Sequence, residues 1–212
     1  MTNPKKQDRD ARREQIQKLK AQQRAQERRR NFLIYGGTGL VLLGLVVWVA
    51  VVIGGEARKS RELSEAAAQP VAGVQTYEDL SNRHVETAVE YDQNPGVGGD
   101  HSPVWTNCGV YTEPVDEGRG IHSMEHGAVW ITYRPDLPQR EINLLTDLVG
   151  ERSYVLLSPN PDQETPVAAS AWGTQLTVDT ASDSRLAPFL AKYVQGEQTP
   201  EPGAACTGGV DG

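Results

Sequence analysis

Phe32 to Ile53 is a run of twenty-two residues without a charged side chain, set behind about thirty polar residues. At ~1.5 Å rise per residue such a run reaches across a ~30 Å hydrocarbon layer, and it exceeds the apolar core of a cleaved signal peptide. It predicts an uncleaved membrane helix over 32–53 and argues against a freely soluble chain. Residues 54–76, with Glu62-Leu63-Ser64-Glu65, alanines at 66–68 and Pro70, read as a stalk. From Tyr77 the pattern changes. Val85–Tyr91, Ala128–Tyr133, Tyr154–Ser158, Val167–Trp172 and Thr174–Val178 are short apolar or alternating runs bounded by Gly, Pro and Asn, and predict strands. Pro138, followed by Glu141, Leu144, Leu145 and Leu148 and closed by Gly150, predicts a helix. Asp183 is placed to N-cap another, with Leu186, Phe189, Leu190 and Tyr193 along one face. Strands and helices do not alternate strictly, so the expected class is α+β, in one domain over 77–212. A domain of that length buries enough surface to fold without a metal.

Charge divides the chain in two. Residues 1–30 hold eleven of the twenty-one Lys and Arg against four acids, whereas residues 31–212 hold ten bases against twenty-four acids. Arg28, Arg29 and Arg30 abut the apolar run, while Glu56, Arg58 and Lys59 on its far side nearly balance. The basic bias places the arm 1–31 in the cytoplasm and the acidic domain outside the cell membrane. The arm has too few apolar residues to bury a helical face, and its cations suit anionic headgroups of the bilayer. It has no interleaved aromatic residues for base stacking, so no nucleic-acid partner is expected. Gly36, Gly37, Gly39 and Gly44 lack a strict G-x-x-x-G spacing, a weak signal for a partner helix.

Between Asn94 and Gly127 turn formers dominate, and long loops inside compact domains often carry function. All four histidines, His84, His101, His122 and His126, fall within forty-three residues, and Met124 lies among them. An extended backbone would put His122, Met124 and His126 on one face. Two imidazoles and a thioether suit copper, and His101 is in reach to complete the set. A helical backbone would instead make His122-Ser-Met-Glu125-His126 an H-x-x-E-H zinc motif with Glu125 as general base. Gly118 and Gly120 before the motif and the strand pattern after it favour the extended reading. Two readings need no metal: histidines bonded to buried carbonyls or to Glu125 and Asp100, and a ligand pocket lined by Trp105, Tyr111, Glu125 and Trp130.

Cys108 and Cys206 are the only cysteines, and both fall in the domain placed outside, where an even count implies a disulfide. A redox pair, or a thiolate ligand from Cys108, is the alternative, but neither cysteine sits in a C-x-x-C. The chain also lacks a phosphate-binding Gly-rich loop and a G-x-S-x-G elbow.

The strings His101-Ser-Pro-Val-Trp-Thr-Asn-Cys-Gly-Val-Tyr111, His122-Ser-Met-Glu-His-Gly-Ala-Val-Trp130 and Glu201-Pro-Gly-Ala-Ala-Cys-Thr-Gly-Gly209 resemble a bacterial domain-of-unknown-function family common in actinobacteria. The resemblance spans residues 77–209. It implies a basic N-terminus, one membrane anchor and an outer domain of shared fold, with no activity attached. Leu is usual in that family at the position of Met124, which favours a histidine-only site.

Together these readings predict a single-pass membrane protein whose outer domain is a non-catalytic accessory module. It would bind a transition metal, copper in preference to zinc, through His101, His122, His126 and Met124, for an envelope or respiratory protein. A structural or partner-binding module without metal, contacting another envelope membrane protein, is the second expectation. A zinc hydrolase is the third.

Overall fold

The computed structural model describes residues 68–150 and 152–212, together with Arg24, 27–29, Asn31, Tyr35, 43–49 and 51–52. The chain divides into two compact units, Met1–Ser60 and Arg61–Gly212. In the first, residues 43–49 and 51–52 are helical, and Leu43, Leu45, Val46, Val47, Trp48 and Val51 expose their side chains. Among the described residues no helix is long and apolar enough to cross a membrane. Much of the predicted run 32–53, nearly all of the arm 1–31 and the stalk up to residue 67 lie outside the described residues.

The second unit is an α+β domain on one mixed sheet. Its strands are β1 (Gln75–Thr76), β2 (Gly109–Val110), β3 (Val129–Tyr133), β4 (Val155–Pro159), β5 (Val167–Ala171) and β6 (Thr174–Val178). Their order across the sheet is β1-β6-β5-β3-β4-β2. β3 and β4 are parallel, with Val129 opposite Val155, and are joined through the helix α2 (Gln139–Val149). β5 runs antiparallel to β3 and turns into β6 through Gly173, whose φ of +65° suits glycine.

Period-two alternation sorts the side chains between two cores. Val129, Ile131 and Tyr133 of β3, Val155 and Leu157 of β4 and Leu176 of β6 pack with Leu145 and Val149 of α2. Leu186, Phe189 and Leu190 of helix α3 (Leu186–Tyr193) join the same cluster. Trp130 and Leu156, one residue out of phase, point to the opposite face, where they meet Ile121 and Met124 of helix α1 (Glu117–Glu125) and Trp172. The sheet is thus covered on both sides, and α1 lies on the face opposite α2 and α3.

Four of the five predicted strands are present within a residue or two of their expected bounds. Val85–Tyr91 is not a strand. Its alternation is genuine, but only its first residue is paired, Val85 N–H donating to His101 O beside an isolated His84–His101 bridge, and Tyr91 instead packs against the α1-side core. The helix after Pro138 ends at Gly150 as expected. Asp183, three residues ahead of α3, accepts from the Arg185 amide, so it stabilises the approach to that helix rather than capping it. The folded domain also starts earlier than residue 77: Gln75 and Thr76 pair with β6, and Val71 and Val74 pack on the α2–α3 core.

Candidate metal centre

The helix α1 overturns the extended reading of residues 122–126. Asp116 caps it by accepting from the Arg119 amide at 3.0 Å. Two glycines in nine residues oppose helix formation by up to about 1 kcal/mol each. Packing reverses that preference at Gly120, where a Cβ would come within 2.8 Å of the Trp130 ring. The helix closes on Gly127 at φ +98°, with Gly127 N–H donating to Met124 O and Ala128 N–H to Ser123 O, a Schellman ending that turns directly into β3.

At 3.6 residues per turn, His122, Glu125 and His126 share a face and Met124 points the other way. Met124 is fully buried among Ile121, Trp130 and Leu156. That burial stabilises the fold by about 1.5–3 kcal/mol, which swinging the thioether out would forfeit. Met124 therefore does not join the imidazoles, and the sulfur argument for copper falls. The H-x-x-E-H string, in contrast, does lie on a helix.

His101 arrives from the glycine-rich loop, where Gly98 at φ +145° and Gly99 at φ +110° make a turn that side chains rarely adopt. His84, absent from the expected ligand set, is drawn in beside it. The His84–His101 bridge and an Arg83–Asp100 ion pair hold the two segments together. The signal for His84 was its membership of the histidine cluster; nothing local marked it.

His84, His101, His122 and Glu125 bring one ligand atom each to within 4.8 Å of one another. Glu125 Oε2 lies 3.0 Å from His101 Nε2, 3.2 Å from His84 Nε2 and 4.0 Å from His122 Nε2. Three of these residues are buried, and His84 is 43% exposed. His126 extends the group, its Nε2 being 3.0 Å from His122 Nε2.

The outer hydrogen bonds fix the tautomers. His101 Nδ1 is 2.7 Å from Gly99 O, His122 Nδ1 2.7 Å from Ser102 O, and His126 Nδ1 2.7 Å from Ala205 O. A carbonyl only accepts, so each of these Nδ1 atoms carries a proton and each ring turns its Nε2 inward. Burial lowers the His122 pKa from its ordinary 6.5 to about 4; the bond to Ser102 opposes this and the neighbouring imidazoles add to it. His122 is accordingly neutral near pH 7. Ring nitrogens converging on a buried carboxylate form a donor set that could hold a metal ion.

Of the four expected pocket residues, Glu125 is central to the site and Trp105 packs against His122 and His126, with ring centroids 5.5 and 4.9 Å away. Trp130 and Tyr111 instead belong to the apolar cluster, Trp130 donating to Ser158 Oγ and Tyr111 to Asn107 O. The tail does reach the site. Cys108 and Cys206 form a disulfide that holds residues 201–206 beside α1, and Glu201 N–H donates to Glu125 O.

No curated protein and no solved structure matches the chain. A family model, protein of unknown function (DUF3105), matches residues 84–208, which contain every side chain of this centre and both cysteines, and the chain belongs to that family.

Proposed function

We propose that the domain is an extracytoplasmic accessory module that binds one divalent transition metal through His84, His101, His122 and Glu125. The observation that carries this reading is the orientation of the imidazoles: His101 and His122, each tied by Nδ1–H to a backbone carbonyl, aim Nε2 at a buried carboxylate. Fixing the outer nitrogen orients and strengthens an imidazole ligand. Three nitrogens and one oxygen suit Zn(II) and Cu(II), whereas the soft-ligand case for Cu(I) left with Met124. The full chain in detergent, dialysed against each ion in turn, is expected to retain one equivalent and to show changed Trp105 fluorescence. His101→Ala and Glu125→Ala are expected to lose affinity about a hundredfold. Retention of neither ion by the wild type would overturn the reading.

A zinc hydrolase is the second reading, favoured by the H-x-x-E-H string on α1. Against it, Glu125 is 1% exposed and its Oε2 lies against His84 and His101, which makes the carboxylate part of the group that would hold the ion rather than a base standing beside it. Glu125→Gln tests it: a hydrolase would lose turnover while keeping zinc.

We also propose that residues 32–53 anchor the chain in the bilayer with the arm 1–31 inside. The uncharged run and the exposed apolar side chains of the helical residues 43–49 support this. Protease added outside intact spheroplasts should remove the domain and leave a membrane-bound fragment; full protection would reverse the topology.

A further inference from the structure

Donor atoms continue beyond the four-residue group toward the surface. His122 Nε2 and His126 Nε2 face each other at 3.0 Å, and Glu201 Oε2 lies 3.7 Å from His126 Nε2. His126 is buried, whereas the Glu201 side chain is 51% exposed. The tail and α3's exit hold this outer group in place: Ala205 O takes the His126 Nδ1 proton, Gln195 Nε2 donates to His126 O, and Glu201 N–H is bonded to the end of α1. The two imidazoles stand at 87° to each other with Trp105 against both.

Both Nδ1–H groups are taken by carbonyls, so the Nε2 atoms are the ring positions left over, and they stand 3.0 Å apart, where one ion could be held by both. Glu201 supplies a carboxylate on the solvent side of that gap. The structure therefore offers an ion two adjacent sets of donors, and His122 is the member common to both.

We propose that His122, His126 and Glu201 form a second, shallower position for the ion, through which it passes between solvent and the buried His84–His101–Glu125 group. The proposal rests on the metal reading above. His122 stays bound while Glu201 and His126 replace His101, His84 and Glu125, so the ion changes ligands singly and never enters the low-dielectric interior bare. The device sets the rate of loading and release and leaves the equilibrium to the buried group.

The test uses the full chain in detergent, loaded with one equivalent of Zn(II) and mixed with excess chromophoric chelator. His126→Asn removes Nε2 while its amide still reaches Ala205 O, and Glu201→Gln removes the charge alone. Each variant is expected to keep the wild-type equilibrium affinity and to slow uptake and release together, by about tenfold or more, the loss typical of one supporting group. Unchanged rates at unchanged affinity overturn the second position and direct the ion past half-exposed His84. A His126→Asn affinity loss as large as that of His101→Ala, with near-ultraviolet dichroism retained, overturns it too, by making His126 a principal ligand. Failure of the wild type to take up zinc is a separate result: it removes the metal reading itself.

Discussion

An imidazole bound through one nitrogen to a carbonyl keeps a proton on that nitrogen and presents the other to its surroundings, and three histidines of this domain are in that condition. The residue most affected is His122, whose depressed pKa makes metal-free stability depend on pH. Its folded pKa lies near 4 and the ordinary value is 6.5, so the unfolded chain takes the proton first as pH falls. The contribution is fully present above 6.5 and is lost on acidification toward 4. We expect the denaturant midpoint of chelator-treated protein to fall across that window, by at most about 1.4 kcal/mol per pH unit from this group, and the fall to be shallower in His122→Asn. Identical pH profiles for the two would remove the assignment. That the histidines belong together was legible in the sequence, because all four are confined to one stretch. Which of them converge was not: Gly99, Ser102 and Ala205 act through backbone carbonyls, which no side-chain pattern announces.

Among the elements, α1 shows why a local rule misled. Gly118 and Gly120 weaken a helix in isolation, and on that ground His122 to His126 reads as extended. Gly120 is instead the point where α1 lies against the Trp130 ring. Gly120→Ala, which propensity alone would make stabilising by up to about 1 kcal/mol, should here destabilise by about 1–3 kcal/mol through overpacking, read from urea unfolding. A stabilised variant would mean that Trp130 yields without strain. The strands were legible for the opposite reason. β3 and β4 have apolar residues on both faces because both faces are covered, β6 alternates polar and apolar residues, and glycines and prolines that the sequence displays lie near their boundaries. Val85–Tyr91 has the same alternation, but a strand also needs a partner edge, and only tertiary structure supplies that.

For the whole domain, the disulfide joins positions 98 residues apart, with Cα atoms 5.4 Å from each other. Its presence was legible from the count of two cysteines; its link to the candidate metal centre was not, since the tail contributes through Ala205 O and Glu201. Closing a loop of this length stabilises by up to about 4.7 kcal/mol in the chain-entropy model, so Cys108→Ser with Cys206→Ser should lower the unfolding free energy by about 2–5 kcal/mol in denaturant titration. The same pair should lose the kinetic advantage of the second ion position, because nothing else cross-links residues 201–206 covalently to the α1 side. A double variant with wild-type stability and transfer rates would show that non-covalent contacts alone hold the tail.

The tail contact also sets an order of events in biosynthesis. The carbonyl that holds His126 belongs to a residue synthesised 79 positions later. A ribosome that has delivered all four imidazoles has thus made only the inner half of the centre. The outer half waits for Cys206 to emerge and pair with Cys108, so on the proposed metal reading the second ion position belongs only to chains whose disulfide has formed.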